Sequence, residues 1–240
     1  MYKFIFTLVF SFYASFSWAN NSILEDYNRW MYGINEQVDQ TVVEPVARYY
    51  DVYIPQPVQT RVNNVFENLK SPVYAVNHLL QGKWSEAGQE SVRFIANTTF
   101  GLGGLFDVAT LGDLPQTNKE DFGQTLAVWG VGSGPYIVLP LLGPSTLRDA
   151  FSQVVDTQVN PMTASDYNYD TTIQIIYVID KRADLLTATD LLKTMKGDAY
   201  LFTKESYLQK REHEIFDGQP PMTQEEIEFD LSPVDSNLKL

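Results

Sequence analysis

The 240-residue sequence contains no cysteine, so no disulfide staples it wherever it resides. Histidine is nearly absent as well, with only His78 and His213 to offer an imidazole. Positive charge is scarce: 17 Lys and Arg stand against 30 Asp and Glu, giving a formal charge of −13. Nucleic acid is thereby excluded as a partner, because its phosphates need a basic face. A polybasic grip on anionic lipid is excluded too, so any lipid contact must be apolar. Beyond the leader described next, no uninterrupted apolar run reaches the roughly 20 residues of a bilayer-crossing helix. Nor is there the regular alternation of a transmembrane barrel.

At the start, Lys3 precedes the apolar run Phe4 to Phe12, and Ser17-Trp18-Ala19 places small residues where a signal peptidase reads. This predicts a signal peptide over 1–19, cleaved between Ala19 and Asn20, and an exported chain; the alternative is a retained membrane anchor. With 44% apolar residues, 20–217 suits one compact domain. Pro220-Pro221 and the cluster Glu225, Glu226, Glu228 and Asp230 mark 218–240 as an acidic tail that need not fold.

Within the domain the pattern is helical and no internal repeat is visible. After Ile54-Pro55-Gln56-Pro57, one face carries Val58, Val62, Val65, Phe66 and Leu69, and the other Arg61, Asn63, Asn64, Glu67 and Asn68. Ser71-Pro72 reads as the N-cap and first residue of a further helix, with Val73, Val76, Leu79 and Leu80 as its stripe and Gly82 as terminator. A helix over 84–99 follows and breaks at Gly101-Leu102-Gly103-Gly104-Leu105-Phe106. Ser145 or Thr146 is expected to cap a helix with Leu147, Ala150, Phe151, Val154 and Val155 along one side, stopped at Pro161. Ile173 to Ile179 fits a strand or a helix, and its polar continuation Asp180 to Asp184 favours helix. Leu201 to Phe216 is the last helix. The fold class expected is all-α, a single domain of short amphipathic helices joined by Gly/Pro-rich loops.

Groups that do chemistry fit no constellation. Ser133, in Gly130-Val131-Gly132-Ser133-Gly134, misses the nucleophile-elbow spacing by one residue. Gly101-Leu102-Gly103-Gly104 lacks the third glycine of a dinucleotide loop and the lysine of a P-loop. Glu212, His213 and Glu214 are helix neighbours that point in different directions, so a solvated face explains them better than a metal. No catalytic residue, metal ligand or cofactor is assigned, and the chain reads as a non-enzyme.

The most telling segment runs from Asp121 to Ala150. Gly130, Gly132, Gly134, Gly143, Pro135, Pro140 and Pro144 punctuate it too often for a long helix or central strand. Yet Val131, Tyr136 to Leu139, Leu141 and Leu142 are too apolar for a solvated loop, so it must be buried or meet lipid. GQTLAVWGVGSGPYIVLPLLGPSTLRDA resembles the signature of the MlaA/VacJ family of Gram-negative outer-membrane proteins that retrieve misplaced phospholipid. Similar blocks occur in order at Tyr27 to Asp39, Pro45 to Gly82 and Arg93 to Ala109, with a fainter one from Arg182 to Arg211.

That resemblance implies a ring of helices in the inner leaflet of the outer membrane around an amphipathic channel. It implies phospholipid as cargo, trimeric porins as docking partners and a soluble periplasmic carrier as recipient. Relatives resemble lipoproteins acylated on a cysteine, which this sequence lacks, so attachment must come from the folded surface or a partner. On this reading Gly130, Gly132, Gly134, Pro135, Tyr136, Pro140, Leu142, Gly143 and Pro144 belong to a loop edging the channel. Gly101, Gly103, Gly104 and Phe106 help to frame it, and Trp30, Trp84 and Trp129 sit at the membrane interface. Two alternatives remain: a non-conducting periplasmic module that binds lipid or docks on porin, and a lipid hydrolase pairing Ser133 with His78 or His213.

Overall fold

The computed structural model describes residues 21–160, 169–194 and 197–221. The leader with its Ala19–Asn20 junction, Pro161 and the acidic cluster of the tail lie outside the described residues. Helix α1 (Asn21–Val38) passes through one π-helical turn at Asp39–Val43 into α2 (Glu44–Tyr53). Extended backbone at Ile54, required before Pro55, ends α2. Then come α3 (Gln56–Leu80), α4 (Trp84–Thr99), α5 (Val108–Leu111) and α6 (Phe122–Val128). A small hairpin, β1 (Tyr136–Leu139) and β2 (Gly143–Thr146), precedes α7 (Leu147–Val159), α8 (Tyr169–Asp184), α9 (Leu186–Thr194) and α10 (Ala199–Ile215). The chain is helical, as expected, apart from this two-stranded sheet.

Local chemistry sets most boundaries. Asp121 caps α6 by accepting from Gln124 N at 2.9 Å, and Thr146, not Ser145, caps α7 by accepting from Asp149 N at 3.2 Å. The expected break at Ser71-Pro72 does not occur. Both residues lie inside α3, where Ser71 Oγ donates to the Glu67 carbonyl at 3.3 Å instead of capping a new helix. Pro72 removes one backbone hydrogen bond, but α3 and α4 fold back on one another through the short turn at Gln81 to Lys83. That long helix pairing holds α3 continuous across the proline.

The segment Gly130 to Pro144 is not a plain loop either. Tyr136 pairs with Thr146 and Val138 with Pro144 in an antiparallel ladder. Along β1 the buried side chains Tyr136 and Val138 alternate with half-buried Ile137 and Leu139. Its other edge is covered by two asparagines of α1, two helical turns apart. Asn28 donates to the Tyr136 carbonyl at 3.0 Å and accepts from Val138 N at 2.8 Å. Asn35 donates to the Leu139 carbonyl at 2.8 Å and accepts from Leu141 N at 2.9 Å. The edge strand's polar groups are thus satisfied by side-chain amides in place of a third strand.

Burial is inverted relative to a water-soluble domain. One apolar cluster holds Met31, Tyr136, Val138 and Tyr200, and another holds Ala47, Ala183 and Leu186. Among the described residues, buried polar and charged side chains outnumber buried apolar ones, the reverse of the usual preference. Val92 and Ile95 of α4 are exposed while Glu90, Arg93 and Asn97 are buried. In α7 the stripe Leu147, Phe151 and Val154 is exposed while Arg148, Asp149 and Ser152 are buried. Amphipathic helices here turn their polar faces inward. Among the described residues no helix is long and apolar enough to cross a membrane.

Candidate functional site

A cavity of about 200 Å³ lies between α3, α4 and the segment that follows α4. Helical spacing brings Asn64, Asn68 and Ser71 of α3 and Glu90, Arg93 and Asn97 of α4 to its walls. Asp107, Gln116, Thr117 and Lys119 close the remaining side. Its lining is polar throughout. Arg93 grips both Asp107 oxygens at 3.0 and 3.1 Å and donates to the Leu114 carbonyl at 2.7 Å. Burial pushes the Asp107 carboxyl up, but bonds from Thr110 and Asn97 and the charge of Arg93 outweigh it and hold the group below the usual carboxylate range. Glu67 is likewise pushed up by burial and held below its usual range by Lys119, 2.8 Å away. Among the described residues two acceptors are left underused: Glu90, which receives only the Thr117 hydroxyl, and Asn68 Oδ1, which is buried without a donor.

The first glycine loop is seated on this polar wall. A Cβ on Gly104 would fall 2.6 Å from Asn68 Cβ, so only glycine lets the loop backbone lie there. Asn64 donates to the Leu105 carbonyl at 3.4 Å, and the Arg61 guanidinium stands 4.6 Å from the centre of the Phe106 ring. Gly101 accepts from Phe106 N at 3.0 Å to close the loop, and Gly103 faces open space at φ +74°.

The second glycine-proline segment borders a different cleft. Leu142, Gly143 and Pro144 line a hollow of about 190 Å³ against Tyr32, Asn35, Glu36 and Asp39. At the hairpin tip Leu141 is held at φ +62° and is 74% exposed, and Leu142 is 70% exposed. Pro140 and Pro135 are exposed, while Gly130, Gly132 and Gly134 form the connection from α6 to β1. Tyr136 is placed otherwise: it is buried in the core cluster, with its ring centroid 6.3 Å from Tyr200 and 6.1 Å from Tyr207, and lines neither cleft.

Trp30, Trp84 and Trp129 are all exposed, and Trp129 donates to the Leu80 carbonyl at 3.1 Å. The hydrolase pairing finds no support in the geometry. Ser133 Oγ donates to the neighbouring Gly134 carbonyl, His78 is buried with Nε2 3.1 Å from the Asn118 carbonyl, and the His213 ring lies beside Gly218. Glu214 pairs with Arg211 and Lys210. Sequence reasoning missed the polar wall itself. Its trace was the asparagine-rich face of α3, which the sequence sets opposite the apolar stripe without assigning it a role.

Behind these clefts lies a charged interior. Arg211 of α10 binds Asp121 at 2.6 Å and Asp149 at 3.1 Å, so one guanidinium clamps the N-terminal ends of α6 and α7. Burial pushes the Asp149 carboxyl up, yet Arg211 and Arg148 outweigh that and keep it below the usual range. Asp156 is the opposite case. Burial, with Asp121 nearby, raises its carboxyl to about 6 although Phe122 N and Asn77 donate to it. Between about pH 4 and 6 the folded protein therefore holds a proton there that the unfolded chain has lost, and this contribution to stability falls as pH rises through the window. Asp156→Asn is expected to raise stability at pH 7.5 and flatten the fall between pH 4 and 6. Denaturant midpoints for both proteins across that range test it, and parallel curves would refute it.

Comparison with known proteins places this architecture. The family model for the MlaA lipoprotein matches residues 21–214. The chain belongs to the MlaA family. It is 35% identical over 228 residues to the intermembrane phospholipid transport system lipoprotein MlaA of Escherichia coli K12, covering 89% of this chain and 87% of that protein. The Haemophilus influenzae protein of the same description is 32% identical over 222 residues, covering 88% and 86%. A solved structure from work on the structural basis for maintenance of bacterial outer membrane lipid asymmetry superposes with a TM-score of 0.71 at 33% identity, covering 82% of this chain and 98% of that one. The MlaA match runs from the start of α1 into the last turn of α10, so both clefts and the inverted helices lie within the shared domain.

Proposed function

We propose that this chain is a phospholipid transport protein of the outer membrane, which removes phospholipid misplaced in the outer leaflet and passes it to a periplasmic carrier without altering it. The carrying observation is the inverted burial in an MlaA-family chain: apolar faces of α4, α7 and α8 turned out, polar faces turned in. Exposed valines, isoleucines and phenylalanines are at home among acyl chains. Water would charge about 0.8 kcal/mol per methylene for exposing those chains, so the lipid needs a shielded route. Dry hydrocarbon would refuse the headgroup at a cost of several kcal/mol. A ring with a polar interior and an apolar exterior meets both demands through an amphipathic channel.

In this reading the two glycine loops edge the channel, and the exposed tryptophans settle at the membrane interface. The apolar surface holds the protein in the leaflet, and a trimeric porin supplies a docking wall. No catalytic group, cofactor or nucleic acid takes part. The test is complementation of a Gram-negative strain lacking its own MlaA protein, with outer-leaflet phospholipid as readout. The wild-type chain should restore asymmetry and co-purify with porin. Gly103→Leu and Gly143→Leu, where each glycine has open space but φ of +74° and +80°, should remain folded at a cost of about 1–2 kcal/mol while retrieval falls. Full retrieval by both variants would remove the loops from the route, and a freely soluble wild-type protein would argue for the non-conducting module.

A further inference from the structure

We propose that the polar cavity between α3 and α4 receives the primary ammonium of an aminophospholipid headgroup, with Glu90 as its acceptor. The inference rests on the transport reading and adds the class of cargo. Asn68 is only 5% exposed and lines the cavity, and its Nδ2 is already committed to Thr98 Oγ1 at 2.9 Å. Its Oδ1 is fully covered, so Asn68 helps to wall the cavity and leaves Glu90 as the acceptor that faces it. Glu90 is also 5% exposed, lines the same cavity and accepts one hydrogen bond, from Thr117 at 2.6 Å. Among the described residues no cation pairs with it. The nearest candidate on its own helix, Arg93, is taken by Asp107.

A buried carboxylate without a counter-charge is costly. A cation that also carries N–H donors relieves it, because it brings opposite charge and a hydrogen bond to the same oxygen. A primary ammonium does so. A trimethylammonium brings charge but no donor, and a glycerol headgroup brings donors but no charge. A phosphate is disfavoured as the inner occupant, because the wall's own cations, Arg93 and Lys119, are engaged by Asp107 and Glu67.

The experiment uses the full chain in nanodiscs and measures retention of phosphatidylethanolamine, its N,N-dimethyl derivative, phosphatidylcholine and phosphatidylglycerol with matched acyl chains. The wild-type protein should retain phosphatidylethanolamine about tenfold better than phosphatidylcholine or phosphatidylglycerol, equivalent to about 1.4 kcal/mol, with the dimethyl lipid between. Glu90→Gln keeps an oxygen for Thr117 and should bring phosphatidylethanolamine down to the phosphatidylcholine level. Equal retention of all four lipids by wild type overturns the headgroup assignment and leaves lipid transport standing. Retention of none overturns both. Uptake of soluble glycerophosphoethanolamine without any lipid preference would assign the subsite to a free solute and overturn the lipid assignment.

Discussion

Arg211→Met should cost this protein about 3–5 kcal/mol of stability, the usual effect of stripping the partner from a buried charge. The Asp149 side chain is 4% exposed and Arg211 8%, so water cannot replace the lost guanidinium. Arg211 also reaches Asp121 with two nitrogens at 2.6 Å each, and Asp121 caps α6. Losing the clamp therefore loosens α6, α7 and α10 together. Arg211→Lys should recover roughly half, since an ammonium restores the charge but not the fork. Denaturation in mild detergent, followed by circular dichroism, reads both variants. A methionine variant as stable as wild type would show that the network contributes nothing.

Gly101→Ala should be nearly as damaging, at about 3 kcal/mol, the upper range for overfilling a packed site. A Cβ there would overlap the carbonyl oxygen of Phe106 and lie 2.5 Å from that of Asn97. Both are backbone atoms, so no side-chain rotation relieves the contact. The loop 101–106 must lift from α3, taking Gly104 off Asn68 and Phe106 away from Arg61. Gly103→Ala, two residues on, meets nothing within 4 Å and should cost only about 1–2 kcal/mol for its left-handed backbone. The comparison isolates packing from composition: two glycines in one loop, one indispensable for space and one for backbone angle alone. Thermal midpoints that fall equally in the two variants would refute this account.

Particular elements show how far the sequence could be read. The stripe at Val58, Val62, Val65, Phe66 and Leu69 marks a helix because 3.6-residue spacing is local, and α3 is there. The stop at Gly101 and the cap at Thr146 are equally local. Pro72 misled because its cost is local but its compensation, the long pairing of α3 with α4, is not. The hairpin was hidden because β1 has only one strand neighbour, and the asparagines that satisfy its other edge lie more than a hundred residues away. Tyr136 was assigned to a channel edge from its neighbours in sequence, whereas Tyr200 and Tyr207 bury it from the far end of the chain.

The sequence by itself determined the helical class, the lack of a spanning apolar run beyond the leader, the acid balance that argues against nucleic acid, and the likeness to the MlaA/VacJ family. Each is a property of composition, of neighbours a few residues apart, or of ordered motifs. Only the tertiary structure decided which face of each helix turns inward. Periodicity separates a polar from an apolar face without saying which one meets the solvent, because that depends on whether the surroundings are water or hydrocarbon. The arrangement that puts Glu90 and Asn68 inside and Val92 and Ile95 outside exists only once α3, α4 and the loop after them are packed together.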